Sequence, residues 1–176
     1  DRIMKRVLIL TIIMLTIMGI AYGVGRKASE HTPDMEFDID RYMGTWYEVA
    51  RYDHSFERNM EQVTATYQRI SDKRIRVVNR GYNTRTRKWS EAVGKAKPGD
   101  RAGQLRVSFF WIFYSDYNIL ELAEDYSWAL VGSSSPHYLW ILSRTPSLPA
   151  KVLDEILATA RSYGYDTEKL IFVAQD

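Results

Sequence analysis

Three histidines and the complete absence of cysteine bound the chemistry open to this chain of 176 residues. Without a thiol there is no Cys nucleophile, thiolate metal site or disulfide scaffold. His31, His54 and His137 form no His-x-x-x-His metal motif, and no Ser-His-Asp constellation stands at convincing positions. The chain therefore reads as a non-enzyme with no resident metal or cofactor. One alternative stays open, a haem or tetrapyrrole carrier with His54 or His137 as axial ligand. The remaining residues with chemical potential are of a binding type. Arg58, Arg85 and Arg87 are cations in polar connections, and Trp111 and Phe113 stand in the unusually apolar loop "WIFYS". Cations and aromatics in such connections suit contact with an anionic, partly apolar ligand, provided the fold gathers them at one place. The plainer reading of each arginine is an ordinary solvated hairpin.

The elements that would position these residues are strands. From Phe37 onward, eight candidates are joined by mostly short polar connections: Thr45–Tyr52, Gln62–Ile70, Arg74–Tyr82, Lys88–Lys97, Gln104–Phe110, Tyr117–Leu122, Ser127–Gly132 and Tyr138–Ser143. Eight sequential strands of alternating pattern predict a sandwich or an up-and-down barrel. Asp38 can cap one helical turn before them. After them, "SLPAKVLDEILATARSYGYD" predicts an amphipathic helix with Ser147 as cap, Leu153, Ile156, Leu157 and Ala160 as its apolar stripe, and Gly164 as its stop. A short ninth strand closes the chain, and the helix is expected to pack outside the sheet.

Period-two alternation gives each strand an apolar and a mixed face. Val63, Ala65 and Tyr67 share one face of the second strand, Ile75 and Val77 of the third, and Leu105, Val107 and Phe109 of the fifth. Small residues at Ala65, Gly94 and Ala96 leave room inside a barrel, and room in an apolar interior suits a small ligand. The alternative is that large side chains fill it. Up-and-down order places Asp53–Glu61, Asn83–Arg87, Trp111–Asp116 and Ser133–His137 at one open mouth. Apolar residues at "WIFYS" would either fold inward as a lid or stay exposed to meet a lipid, a membrane surface or a second copy of the chain.

The N-terminal quarter is different in kind. Met4-Lys5-Arg6 precedes an uncharged apolar run from Val7 to Gly25, with Ala21-Tyr22-Gly23 at positions a signal peptidase reads. Residues 1–25 are expected to be a signal peptide or an N-terminal anchor, 26–36 a linker carrying Pro33, and 37–176 the folded domain. Export follows in either case. Of 24 basic and 22 acidic residues, Arg2, Lys5, Arg6 and Asp1 fall in this leader, which leaves the rest near neutral and gives no sign of nucleic-acid binding.

Three stretches, "GTWYEVAR" (Gly44–Arg51), "DYSWALVGS" (Asp125–Ser133) and "LWILSRTP" (Leu139–Pro146), resemble in order and spacing the signature regions of the lipocalins. The pattern is nearest to the bacterial outer-membrane and apolipoprotein D-like groups, and "VTATYQ", "VNRGYN" and "VSFF" agree with it. The resemblance covers residues 37–176. It implies an all-β fold: an eight-stranded antiparallel up-and-down barrel with a C-terminal helix outside and a short ninth strand. It implies a floor in which Trp46 packs against Arg144, with Gly44 letting the chain pass beneath. Parity from that floor puts Trp140 and Leu142 inside, and Ala50 and Tyr52 on the face of Trp46 and Glu48. The expected cavity set is then Trp140, Leu142, Ala50, Tyr52, Ala65, Tyr67, Val77 and Phe109, with Arg58, Arg85, Arg87, Trp111 and Phe113 as the rim. The implied function is binding, transport or storage of a small hydrophobic or amphipathic ligand, a fatty acid or lysophospholipid, in the bacterial cell envelope. An envelope scaffold or stress protein with a filled barrel is the alternative. Location in the periplasm or at the outer membrane is expected. A lipid anchor is doubtful, since "GIAYGVGRK" offers no cysteine to acylate.

Overall fold

The computed structural model describes residues 36–175; the leader and most of the linker lie outside that range. The Asp38 carboxylate accepts from the Asp40 and Arg41 amides and caps a single turn, α1 (Ile39–Tyr42). Eight strands follow: β1 (Gly44–Tyr52), β2 (Met60–Ser71), β3 (Arg74–Asn83), β4 (Lys88–Pro98), β5 (Gln104–Phe110), β6 (Phe113–Leu122), β7 (Trp128–Gly132) and β8 (Leu139–Ser143). A long helix, α2 (Ala150–Ser162), and a short strand, β9 (Leu170–Phe172), complete the chain. Every neighbouring pair is antiparallel, in the order β2-β3-β4-β5-β6-β7-β8-β1-β9, and β1–β2 pairing closes the barrel. Closure pairs most of the edge that an eight-stranded sheet would otherwise expose.

The strand pattern divides the apolar residues into two clusters on opposite sides of the wall. Inside lie Tyr42, Trp46, Tyr67, Ile75, Val77, Ala96, Leu105, Ile119, Val131 and Leu142. Outside, beneath α2, lie Ala50, Tyr52, Leu120, Leu130, Leu139 and Ile141 with Ile156 and Ala160 of the helix. Ile156 and Ala160 are fully buried. The helix starts one residue after Pro149, which holds the cap position without a side-chain bond. Ser147 is therefore not the cap that the sequence predicted.

One bulge corrects the expected facing of β1. Glu48 pairs with Leu142 of β8, but the next pair is Ala50 with Ile141, then Arg51 with Trp140. Val49 is the extra residue. A single insertion exchanges the two faces of everything beyond it. Ala50 and Tyr52 thus turn outward, against Ile141 and α2, and not into the cavity as simple alternation predicted. Arg51 turns inward in their place.

Two seams of the barrel are short of strand pairing, and they are treated differently. β1 and β2 pair only from Gly44–Tyr47 to Thr64–Tyr67. Above that, the C-terminal segment fills the gap: β9 pairs with β1, Gln62 N–H donates to Ala174 O (2.7 Å), and the Gln175 amide donates to both Glu48 O (2.8 Å) and Val63 O (2.9 Å). β4 and β5 pair only from Lys95–Pro98 to Leu105–Ser108. The rest of β4, Lys88–Gly94, runs on with β3 alone, for roughly 20 Å of strand. At the parting point a Cβ on Gly94 would lie 2.6 Å from Ser108 O and 2.7 Å from the Phe109 ring. Only a glycine lets β5 pass that close.

Candidate functional site

Arg144 and Trp46 meet at the floor as the resemblance implied. The guanidinium lies 3.8 Å from the indole centroid. It also donates to Thr45 O (3.0 Å) and Arg41 O (2.8 Å), and Trp46 Nε1 donates to Tyr42 O (2.9 Å). Gly44 adopts φ +96°, with Arg144 Nη1 3.2 Å from where its Cβ would be. All three are structural: they bind α1 and the strand ends into a plug.

Above the floor stands a group of which alternation gave only Tyr67. Tyr42 Oη, from α1, lies 2.6 Å from Tyr117 Oη of β6, which accepts from Tyr67 Oη of β2 at 3.1 Å. Burial pushes all three phenols well above their ordinary range, so each is neutral and a hydrogen-bond donor at physiological pH. Ala65, Val77 and Leu142 belong to the same inward-facing cluster, on the face that alternation predicted.

The upper end is covered by the β1–β2 loop, Asp53–Asn59. Its Glu57 carboxylate accepts from Trp140 Nε1 (3.1 Å) and lies 2.8 Å from His54 Nε2. His54 stacks on Phe56 at 3.9 Å, and Tyr138 stacks on Trp140 at 5.7 Å. Arg51, turned inward by the bulge, donates to Glu48 Oε1 (2.9 Å) and to Glu57 O (2.7 Å). Glu48 is buried; loss of hydration and the neighbouring Glu57 carboxylate drive its carboxyl well above the usual carboxylate range, against the pull of Arg51. The Arg51 Nε–H has no acceptor among the described residues. Trp140 is inward and half-buried, as parity predicted, but it is also the strut on which the lid rests. The lid residues were legible only indirectly: a glutamate on an inward strand position demands a partner, and Glu48/Arg51 and His54/Glu57 are both spaced by three.

The other expected rim residues are dispersed. Arg58 is held bidentately by Asp53, at 2.7 and 3.2 Å, and is not a free cation. Arg85 and Arg87 are exposed on the β3–β4 hairpin. Trp111 is 71% exposed, with Ile112 and Phe113 also exposed, so the "WIFYS" hairpin does not fold in; Phe109, expected inside the barrel, is 42% exposed, because a register shift between Val107 and Phe110 breaks the alternation of β5. β6 begins at Phe113, earlier than the sequence predicted, which leaves a two-residue turn. His137 is exposed, its amide bound to Ser135 Oγ, while His54 is buried among aromatic rings. The two histidines do not form a pair. A concavity of about 570 Å³ on the outer face of β1–β4 is walled by Thr64, Thr66, Arg76 and Arg80, with Arg80 already stacked on Trp89 at 3.9 Å. It lies on the outside of the wall, apart from the inward-facing cluster.

The barrel has a plugged floor, an apolar inner face and a polar loop tied across its upper end. Comparisons with known proteins agree. The lipocalin-like domain family matches residues 37–175. The outer membrane lipoprotein Blc of Vibrio cholerae is 47% identical over 146 residues, covering 81% of this chain and 85% of that protein. Bovine (Bos taurus) apolipoprotein D is 29% identical over 168 residues, covering 89% and 86%. Among solved structures, lobster apocrustacyanin A1 superposes with a TM-score of 0.65 at 19% identity, covering 78% of this chain and 79% of that one, which speaks to the fold. A match across the whole described domain, with the barrel, floor and external helix in place, makes the chain a member of the lipocalin family, whose members bind small hydrophobic ligands.

Proposed function

We propose that this lipocalin binds a single-chain amphipathic lipid, a fatty acid or lysophospholipid, in the bacterial cell envelope, and that it is a carrier or store and not an enzyme. The observation that carries the reading is the apolar inner face of the closed barrel, with Ala65, Val77 and Leu142 on the wall, the tyrosine triad below and Trp140 half-buried at the upper end under the lid. An acyl chain gains roughly 0.8 kcal/mol per methylene buried there. Similarity to outer membrane lipoproteins of Gram-negative bacteria supports the envelope location. The exposed Trp111 hairpin suits contact with a membrane surface.

Native mass spectrometry of the purified protein, followed by organic extraction, tests the reading. An adduct of fatty-acid or lysophospholipid mass at one per chain is expected. Trp140→Ala should weaken binding of an added acyl probe by at least tenfold while the β-sheet circular dichroism is retained. A bare protein that takes up no acyl ligand would favour a scaffold with a filled barrel. A visible haem band on titration, lost in His54→Ala or His137→Ala, would favour the tetrapyrrole alternative.

A further inference from the structure

The axial entrance is obstructed: Glu57 of the lid is tied to Trp140, His54 and Arg51. The wall, by contrast, is open on one side. Between Lys88–Gly94 of β4 and the β5–β6 hairpin no strand pairing exists, whereas the equivalent gap between β1 and β2 is sealed by Gln175 and β9. The open seam is bordered by apolar side chains that a soluble wall has no reason to expose. Val93 is 51% exposed, Phe109 42% and Phe113 50%. At its base, Lys95 and Lys97 project from β4 over the Tyr114 ring, at 5.6 and 4.8 Å, and among the described residues no carboxylate pairs with either lysine.

We propose that this seam is a lateral portal: the ligand's acyl chain enters between β4 and β5 across Phe109, and its anionic head stays outside at Lys95 and Lys97. The assignment rests on the carrier reading above and adds the route and the head-group site. The occupant is an acyl chain and not an added β-strand, because the Phe109 ring lies against Gly94 and covers the lower end of the free β4 edge. A pairing strand needs that edge bare, whereas an alkyl chain needs an apolar ring beside it. The exposed Trp111 and Ile112 at the hairpin tip place the portal beside any lipid surface they touch.

Uptake of cis-parinaric acid, followed by stopped-flow fluorescence, tests the portal in the full chain. Phe109→Lys puts a charge in the seam; Phe56→Lys puts one on the lid. Both positions are exposed, and thermal melts confirm that the fold persists. The expected result is uptake slowed at least tenfold by Phe109→Lys and less than twofold by Phe56→Lys. Lys95→Ala/Lys97→Ala should weaken binding of the acid but leave parinaroyl alcohol unaffected. The reverse ranking of the two lysine insertions overturns the portal in favour of axial entry. A concentration-dependent dimer that Phe109→Lys abolishes, with uptake unaltered, also overturns it and assigns the seam to a second copy. Failure of the unmodified protein to bind cis-parinaric acid at all removes the carrier reading, and the portal with it.

Discussion

Arg144 and Glu48 illustrate opposite electrostatic strategies. Arg144 is charged and fully compensated: an indole face on one side and carbonyl oxygens on the other. Arg144→Ala should lose about 2–3 kcal/mol, from charge-assisted bonds and the cation–π contact together, and lower Tm by roughly 6–10 °C. Arg144→Lys should recover little of this, because an ammonium cannot span the Thr45 and Arg41 carbonyls while stacking flat. Glu48 is different, since burial and the neighbouring Glu57 favour its protonated form. Its folded-state pKa stands above its unfolded value, so the folded protein binds the extra proton between the two. Stability from this group is therefore fully present below the ordinary glutamate pKa and is lost as pH rises through the folded-state value. Glu48→Gln should remove that loss. The stability difference between variant and parent, measured by urea melts, should grow in the variant's favour as pH rises across the window.

Among the elements, β4 and β5 show how one residue directs two strands. Gly94→Ala would drive a methyl into the Ser108 carbonyl, where backbone and not a flexible side chain must yield. The expected penalty is about 1–3 kcal/mol, read as a shifted denaturation midpoint, with the change in amide chemical shifts centred on Ser108 and Phe109. The strands themselves, the external helix and the inward set Trp140, Leu142, Ala65, Tyr67 and Val77 were legible, because alternation and the α2 stripe report burial directly. Ala50 and Tyr52 were not. A bulge at Val49 is set by how β1 must bend between β2 and β8, a relation among three strands that period-two reading of one strand does not contain. The lid was hidden for a related reason. His54 and Glu57 acquire their role only when β8 delivers Trp140 across 83 positions of sequence. Arg58, legible as a rim cation, is cancelled by Asp53, a neighbour whose distance in sequence gave no warning.

At the scale of the whole molecule, the barrel is a ring with one clasp and one gap. The clasp is the C-terminal segment. Val173 N–H donates to Val49 O (2.9 Å), Ala174 O accepts from Gln62, and the Gln175 amide bridges Glu48 and Val63. These bonds join β1 to β2 where the two strands no longer pair directly. They also seat over the bulge that turns Arg51 inward, so the clasp supports the lid as well as the wall. Truncation after Phe172 deletes all four bonds while leaving β9 in place. At roughly 1 kcal/mol net for each, the loss should be about 2–4 kcal/mol. Its distribution is the sharper test. Hydrogen exchange should accelerate at Gln62 and Val63 and spread to Arg51, while the floor around Trp46 keeps its protection. The upper amides of β4 that face β5 should already exchange fast in the intact chain and be unchanged by truncation. A uniform rise across all strands would instead mean that the clasp holds up the barrel as a whole and that the two seams are not independent.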